Sequence, residues 1–402
     1  MADLMPVDEA LERLLDGIVP LPAESVPLAD AAGRILAGEI VARRTQPPFD
    51  ASAMDGCAVR AADIAAVPAR LTVTGESIAG RRFDGSVGLG EAVRIFTGAP
   101  LPEGADTVLL QEDTRRLADG TIEATEATQQ GRHIRRAGLD FREGDVLLPA
   151  GRRLDAGALS LAAAANHPTL PVVGRPLIAI LATGTELVAP GTEPGPDQIV
   201  ASNGFGVAAL VRDAGGAVLD LGIVPDDEVV MAAAIRKAVD AGAHVLVTLG
   251  GASVGDHDLV QRVLLDLGMD LAFWKIAMRP GKPLMAGRLG AMRVLGLPGN
   301  PVSSIVCTHL FVKPVVAALG GADGRPRLLD AELGEAMKAN DHRRDYVRAT
   351  TSVRDGRRIA MPFGTQDSSM LQTMAAADAL IVREANAPAA GVGNACKILP
   401  LR

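Results

Sequence analysis

Hydrophobic and polar positions change their spacing along the chain, and each change predicts a different kind of structure. Apolar residues recur at helical spacing between Val7 and Ile18, which predicts an opening amphipathic helix. A second helical stretch, 158–165, follows Asp155 in the position of an N-cap, and we expect the two helices to pack together. Residues 1–43 and 142–174 would then form one discontinuous helical domain.

The stretch between these helices has a β pattern. From 44 to 141, short apolar runs alternate with turns rich in Gly and Pro, which predicts a small β-rich inserted domain. Within it the segment 47–56, PPFDASAMDG, is too polar and turn-prone for a strand, so we predict a loop there.

The second half of the chain predicts two further domains. Strands alternate with helices from 175 to 323, which predicts a mostly parallel sheet covered on both faces, a doubly wound α/β domain. Residues 324–402 follow a Gly-rich linker and contain short β runs, which predict a small β-barrel-like domain. The predicted fold class is therefore multidomain α/β plus β.

Composition limits the function classes. The net charge of −8 and the aromatic content of 2% argue against nonspecific nucleic-acid binding and against a base-stacking platform. The three cysteines lie far apart without metal-ligand spacing, which is typical of a reducing compartment. The acidic N-terminus differs from a signal peptide, and Pro, Asn and His interrupt the longest uncharged runs. We therefore predict a cytoplasmic protein without a membrane span.

Three strand–glycine junctions indicate one ligand site. The apolar run Val245–Leu249 ends at Gly250 and Gly251, and similar junctions occur at 178–186 and 294–303. Strand ends in α/β sheets bind ligands because backbone N–H groups converge there and glycine lets them approach. We expect the three turns to bind one anionic, phosphorylated ligand.

The β-rich region contains candidate polar residues with two interpretations each. Asp55 ends the loop 47–56 and is either a turn-capping residue or a carboxylate that positions a metal or oxyanion. Thr97 is either a strand residue beside a hairpin turn or part of the same site. Three arginines and Asp140, between 132 and 140, form either a solvated face or a place where an acidic protein concentrates cations for an anion.

The α/β region adds carboxylates at strand ends. Glu186 is a helix cap or a ligand, and Asp226 or Asp227 is an N-cap or a ligand. Asp256 and Asp258 follow the central glycines, and one of them is a plausible cap. Two or more carboxylates near phosphates would suit Mg²⁺, which prefers few carboxylates together with phosphate oxygens and water.

Three cations and the start of a helix complete the set of candidate site residues. Lys275, Arg279 and Lys282 place three cations on a strand and a glycine turn, which favours anion binding over a structural role. The segment 298–303, PGNPVS, opens a long helix whose N-terminus attracts negative charge, and Ser303 adds a hydroxyl donor. No GxxxxGK[ST], GxGxxG or HExxH motif occurs.

Together these stretches resemble the molybdopterin molybdenumtransferase family, MoeA and the gephyrin E domain. The matching segments are PPFDASAMDG (47–56), FTGAPLPEGAD (96–106), RRAGLD (135–140), ATGTEL (182–187), GGASVGDHD (250–258), KIAMRPGKP (275–283) and GLPGNPVSS (296–304). GGxSVGD alone also occurs in related molybdopterin-binding domains, whereas the combination of PPFD…SAMDG with PGKP…LPGNP is much more specific to this family.

The resemblance implies insertion of molybdate into adenylylated molybdopterin with release of AMP. It implies Mg²⁺, a homodimer whose site is shared between subunits, and contacts with a molybdopterin adenylyltransferase and apo-molybdoenzymes. The implied catalytic residues are Asp55, Thr97, Asp140, Glu186, Asp227, Lys275 and Arg279, with Asp55, Glu186 and Asp256 as metal ligands. The implied substrate-binding residues are Gly250, Gly251, Ser253, Gly255, Asp258, Lys282, Pro298, Gly299, Pro301 and Ser303.

The sequence departs from the family pattern at four positions. The family commonly has Asn at Ala51, an acidic residue at Leu139, Asp at Thr185 and Lys at Arg279. Two alternative functions are a molybdopterin adenylyltransferase, which resembles only 175–320, and a non-catalytic cofactor-binding scaffold.

Overall fold

The computed structural model describes residues 4–250 and 259–402 and divides the chain between two units with separate cores. The larger unit combines Met1–Glu24, Gly33–Ala37 and Val172–Arg402, and the smaller one combines Ser25–Ala32 and Gly38–Pro171. The opening helix, α1 (Val7–Leu15), belongs to the larger unit. The chain therefore leaves the larger unit early and returns to it near Val172.

The smaller unit is built mainly of short strands. The strands from Ala23 to Val173 are β1 Ala23–Pro27, β2 Ile40–Val41, β3 Ala51–Ser52, β4 Gly56–Val59, β5 Ala69–Ser77, β6 Glu91–Ile95, β7 Thr107–Leu110, β8 Thr114–Arg116, β9 Ile122–Ala124, β10 Ile134–Arg135, β11 Val146–Leu148 and β12 Thr169–Val173. Six of them form a mixed sheet in the order β7-β4-β6-β5-β9-β8. Val59, Ile64, Leu71 and Leu109 lie in its core. The predicted β-rich insertion is confirmed.

One helix of this unit corrects an expectation. Asp155 caps α2 (Ala156–Ala164) by accepting the Ala158 N–H at 2.9 Å, as predicted. However, α2 packs with Ala42, Phe141 and Ala165, whereas α1 packs into the core of the α/β sheet. The predicted packing of α1 against α2 is therefore wrong. An amphipathic pattern identifies the buried face of a helix and leaves its partner undetermined. The domain limits stay predictions.

The larger unit contains a doubly wound sheet. Its strands up to Leu297 are β13 Leu177–Thr183, β14 Leu187–Val188, β15 Ile199–Val200, β16 Ala217–Val224, β17 Val245–Leu249, β18 Asp270–Trp274, β19 Met278–Arg279, β20 Met285–Leu289 and β21 Met292–Leu297, and its helices are α3 Asn203–Asp213, α4 Glu228–Asp240, α5 Leu259–Asp266 and α6 Pro301–Leu319. The sheet order is β16-β13-β17-β21-β20-β18. The first four strands are parallel, and β20 and β18 are added antiparallel.

The two faces of this sheet bury alternate residues of each strand. Ile178 and Ile180 face the side covered by α1, α3 and α6, while Ala179 and Leu181 face α4 and α5. This alternation explains the nearly continuous apolar runs of the parallel strands. The predicted mostly parallel sheet with helices on both faces is confirmed.

A small closed barrel follows the α/β sheet. Its strands are β22 Leu329–Leu333, β23 Arg344–Arg354, β24 Arg357–Pro362, β25 Ala379–Arg383 and β26 Ala395–Pro400, with α7 Leu371–Ala376 between β24 and β25. The order β23-β24-β22-β26-β25 closes because β25 also pairs with β23. Closure leaves no free edge within these five strands, and β19 adds alongside β23. The predicted β-barrel-like domain is confirmed.

Helix α6 is the central helix of the larger core. By length and composition it could cross a membrane, but 72% of its apolar window is buried inside the protein, so it serves as a core helix. Residues Thr308–Val312 form a π-helical turn that includes His309. Burial, with the nearby Lys313 ammonium, lowers the pKa of His309 to about 4, and the Asp213 carboxylate opposes the shift. The folded protein therefore favours the neutral ring.

We expect His309 to make stability fall as the pH drops from about 6.5 towards about 4. Over this range the unfolded chain protonates the ring first, so protons favour unfolding. Between pH 7 and pH 5 this residue should cost at most about 2 kcal/mol of unfolding free energy. Urea unfolding of the native protein and His309→Gln at both pH values measures the effect. The same pH dependence in both proteins would contradict it.

Candidate active site

Four parallel strands of the larger unit end at the same sheet edge. They are β13, β16, β17 and β21, and their order reverses between β13 and β17. The crevice at such a reversal is where open α/β sheets bind ligands. The Gly250 N–H donates to the Leu297 carbonyl at 3.3 Å, so the ends of β17 and β21 are tied together. The predicted convergence of the strand ends is thus observed.

Gly250 allows this convergence through its conformation and its lack of a side chain. Its φ is +99°, and a β-carbon there would lie 2.6 Å from the Thr183 carbonyl oxygen. We expect Gly250→Ala to lower the melting temperature more than Gly242→Ala does. Gly242 also has positive φ, +69°, but a β-carbon there meets no atom within 4 Å. Equal shifts in thermal unfolding would show that only backbone conformation matters at Gly250.

The antiparallel strands bring two lysines to the same edge. Trp274 is in register with Met285, and Met285 is in register with Gly296. Lys275, directly after Trp274, therefore lies at the edge where β21 ends. Lys282 reaches the same place, because its carbonyl accepts the Ile276 N–H at 2.9 Å.

The two lysines differ in how they are held. Lys275 has φ +85°, which is uncommon for a residue with a side chain, and its Nζ lies 4.5 Å from the centroid of the Trp274 ring. Among the described residues, the Lys282 ammonium has no ion-pair partner. Gly281, beside it, also requires glycine, since a β-carbon there would lie 2.6 Å from Cys307 Sγ. The fold thus fixes the backbone, and within 4–250 and 259–402 neither ammonium group has a carboxylate partner.

Arg279 is different from the two lysines. Its Nε donates to Asp345 Oδ1 at 2.8 Å, its Nη1 lies 3.5 Å from Asp341 Oδ2, and its Nη2 donates to Asn340 at 3.2 Å. The hydrogen bond with Asp345 also raises the pKa of the guanidinium. The geometry favours a structural tie to the barrel over the predicted anion-binding role.

The polar turns after β13 and β16 meet each other. The Asp226 N–H donates to Thr185 Oγ1 at 3.1 Å, and the Thr185 N–H donates to Asp226 Oδ2 at 3.3 Å. Asp227 instead caps α4 by accepting the N–H groups of Val229 and Val230, both at 2.9 Å. The alternatives for this pair are therefore separated: Asp227 has the capping role, and Asp226 reaches the neighbouring strand end.

Glu186 and the start of α6 also lie at this edge. The carboxylate of Glu186 is exposed and lies close over Gly184, whose φ of +148° needs glycine. Pro301 occupies the first turn of α6, as predicted. Ser303 is buried, and the next residue, Ser304, ties the turn by donating to the Pro298 carbonyl at 2.5 Å. Ser303 is therefore not an exposed hydroxyl.

Two residues outside the predicted set hold the α6 turn. The Asn203 amide donates to the Gly299 carbonyl at 2.7 Å, and the Val302 N–H donates to the Ser368 carbonyl at 3.1 Å. Asn203 is the first residue of α3. Its place at a polar helix start is the only feature of the local sequence that marks it as a candidate site residue. Ser368 lies in the barrel domain, and nothing in the sequence around it indicates its contact with the α6 turn.

In the smaller unit, Asp55 and Thr97 form a hydrogen-bonded pair. The N–H and the hydroxyl of Thr97 both donate to Asp55 Oδ1 at 2.8 Å. These bonds lower the pKa of the Asp55 carboxyl, with a further contribution from Arg94, so the carboxylate is charged at neutral pH. Among the described residues, Oδ2 of Asp55 accepts no hydrogen bond, and the carboxylate is exposed.

The arginines between 132 and 136 differ in their contacts. Arg136 Nη1 lies 2.5 Å from Asp50 Oδ2, and the Ala137 N–H donates to Asp50 Oδ1 at 2.8 Å. Burial would raise the pKa of Asp50, but these two contacts outweigh burial and lower it. Asp50 is thus the turn-capping aspartate before β3, while Arg135 and Asp140 are exposed. The segment 47–56 is therefore not entirely a loop as predicted, because Ala51–Ser52 pairs with β10.

Five predicted residues lie outside the described residues: Gly251, Ser253, Gly255, Asp256 and Asp258. Within 4–250 and 259–402, no group of three or more His, Cys, Asp and Glu side chains is placed to hold a metal ion.

Comparison with known proteins follows the same division of the chain. The family model of the MoeA N-terminal region (domain I and II) matches residues 5–166, that of the probable molybdopterin binding domain matches 179–318, and that of the MoeA C-terminal region (domain IV) matches 330–401. The molybdopterin molybdenumtransferase of Haemophilus influenzae is 34% identical over 401 residues, covering 99% of this chain and 98% of that protein. The chain belongs to the molybdopterin molybdenumtransferase family.

Other molybdenumtransferase relatives are similar over the same length. The Bacillus subtilis molybdopterin molybdenumtransferase is 35% identical over 408 residues, covering 99% of this chain and 94% of that protein. The crystal structure of a molybdopterin biosynthesis MoeA protein from Pyrococcus horikosii superposes with a TM-score of 0.83 at 30% identity, covering all of both chains. The family and multidomain fold expected from the motifs are confirmed.

Two departures from the molybdenumtransferase pattern have a structural account. Thr185 replaces a family carboxylate with a hydroxyl that exchanges hydrogen bonds with Asp226. Arg279 replaces lysine with a planar group that contacts Asp345 through two nitrogens. Leu139 is 66% exposed, and Ala51 is a buried residue of β3; nothing in the structure explains either change.

Proposed function

We propose that this molybdenumtransferase transfers molybdenum from molybdate to adenylylated molybdopterin, cleaves the phosphoanhydride of that substrate and releases AMP. The observation that supports it best is the sheet edge shared by Lys275, Lys282 and the strand-end turns at Gly184, Gly250 and Gly299. Family similarity over 5–401 favours insertion over the adenylyltransferase alternative, which resembles only the middle domain.

In this proposal the lysines bind oxyanions. The Lys275 and Lys282 ammonium groups would contact molybdate and the phosphate oxygens, and the N–H groups of the glycine turns would add donors. Pro298 and Pro301 would shape the turn at the α6 N-terminus. Arg279 would act indirectly, by fixing the backbone between the lysines through Asp345.

Asp55 and Glu186 suit Mg²⁺ as separate carboxylates. Both are exposed, and both hydrogen bonds to Asp55 end on Oδ1, which leaves Oδ2 for a ligand. Mg²⁺ needs only one or two carboxylates with phosphate oxygens and water, so each residue fits. When bound, the ion would neutralise charge on the phosphoanhydride. Asp256 is a further candidate ligand, and Thr97 would orient Asp55.

We further propose a homodimer in which the β-rich insertion of one subunit completes the site of the other. Asp55, Thr97 and Asp140 would then act on substrate bound at the partner's α/β domain. A molybdopterin adenylyltransferase would supply the substrate, and apo-molybdoenzymes would accept the product. The cytoplasmic location stays a prediction.

Molybdate-dependent AMP release tests this function. Purified protein is incubated with adenylylated molybdopterin, Mg²⁺ and molybdate, and AMP is followed by chromatography. We expect AMP release only with the oxyanion present and a product that activates an apo-molybdoenzyme; a parallel reaction with tungstate distinguishes the two oxyanions. Tight substrate binding without AMP release would contradict insertion and support the scaffold alternative.

A further inference from the structure

The β-rich sheet of the smaller unit contains a cavity that the proposed reaction does not use. Its volume is about 730 Å³, within the range of small-molecule sites. Val73 and Ile122 contribute apolar lining, while Arg94, Gln111 and Arg116 contribute polar groups. Polar groups provide more of the lining surface than apolar groups, which suits a ligand with a charged end and a smaller organic part.

The cavity is cationic in an acidic protein. Arg94 donates to two uncharged acceptors, the Gly56 carbonyl at 3.2 Å and the side-chain oxygen of Gln111. In the part of the chain that the structure describes, neither Arg94 nor Arg116 forms an ion pair. The neighbouring Arg115, by contrast, pairs with Glu123 on the other face of β8.

Other groups around the cavity suit an anion. Gln111 uses its side-chain oxygen for Arg94, so its amide N–H groups stay available as donors. The buried Cys57 in the wall stays neutral, because burial raises the pKa of its thiol despite Arg94 and Arg116. Two guanidinium groups and an amide match the several oxygens of a phosphate group.

We propose that this cavity binds a phosphate monoester, with the phosphate between Arg94 and Arg116 and the organic part against Val73 and Ile122. The site adjoins Asp55 through the backbone, since the Gln111 N–H donates to the Asp55 carbonyl at 3.1 Å. A bound phosphate would therefore stiffen the strand that begins beside Asp55. The proposal does not depend on the proposed reaction.

Calorimetric titration of the full chain with phosphate, AMP and adenosine tests the site. Arg116→Gln should weaken phosphate and AMP binding at the cavity at least about tenfold, because it removes a charged donor. Arg115→Gln is the matched control and should bind like the native protein, since Arg115 already pairs with Glu123. Adenosine, which lacks the phosphate, should not bind.

A variant that lacks both sheet-edge lysines distinguishes binding at this cavity from binding at the sheet-edge site. Phosphate and AMP binding that depends on Arg116 should persist in Lys275→Gln/Lys282→Gln, whether or not the native protein releases AMP from its substrate. Tighter binding of AMP than of inorganic phosphate would indicate that the apolar wall contributes. Equal affinities of Arg116→Gln and Arg115→Gln, no saturable binding in the double-lysine background, or adenosine binding as tightly as AMP would overturn the proposal.

Discussion

Replacing Asp55 with alanine is expected to abolish molybdate-dependent AMP release while the protein remains folded. The carboxylate is exposed and is held by the N–H and hydroxyl of Thr97, so its loss leaves no buried group unpaired. The change removes the proposed Mg²⁺ ligand, and we expect turnover to fall at least about a hundredfold. Chromatographic AMP assays together with circular dichroism melting separate the catalytic effect from unfolding.

The chain offers a close structural control for Asp55. Asp119 is also exposed in the β-rich unit, and its Oδ1 accepts the N–H of Thr121 at 3.1 Å and the hydroxyl of the same residue at 2.6 Å. Asp119→Ala removes the same kind of aspartate–threonine pair from a hairpin turn outside the proposed site. It should keep native turnover. Unchanged turnover in Asp55→Ala, or an equal loss in both variants, would refute the role of Asp55.

Mixing two inactive variants is expected to restore activity if subunits share the site. Asp55→Ala damages the β-rich insertion and Lys275→Gln damages the α/β edge, so each homodimer should be inactive. In a mixed dimer, one of the two sites combines an intact insertion with an intact α/β edge. Random pairing then gives about a quarter of native activity, because half of the dimers are mixed and each has one complete site.

The control for this experiment uses two lesions on the same side of the site. Lys275→Gln and Lys282→Gln both alter the α/β edge, so every site in their mixed dimers keeps one damaged residue. Co-expression with two affinity tags isolates the mixed dimers for the AMP assay, and isolated Asp55→Ala/Lys275→Gln dimers should reach about half of native activity, because each has one complete site of two. No recovery with Asp55→Ala and Lys275→Gln would contradict a site shared between subunits.

The elements predicted well from sequence are those whose own residues determine them. Helix α4 (Glu228–Asp240) is determined by its own residues, because Asp227 caps it and its apolar positions keep helical spacing. Strands β4 and β20 have no comparable local signal. Gly56 opens β4 and Gly287 lies within β20, and such strands are stabilised by their neighbours more than by their own propensity.

The sequence predicts the candidate site as a set of residues and leaves their separate roles open. The chain places Arg279 between two lysines, and nothing local distinguishes the three cations. Its partner Asp345 lies 66 residues further on, so only the tertiary structure reveals the ion pair. Likewise Asp226 and Asp227 are adjacent, and only the turn after β13 shows which one faces Thr185.

The early departure of the chain from the larger unit has a consequence for cleavage. Helix α1 buries Val7, Ala10 and Leu14 in the α/β core, and Asp8 pairs with Arg344 of the barrel at 2.6 Å. A protease that nicks a loop within 44–141 would break the covalent path without removing these contacts. The two fragments should stay associated through purification. The opening helix belongs to the amino-terminal fragment but remains packed noncovalently in the core of the carboxyl-terminal fragment.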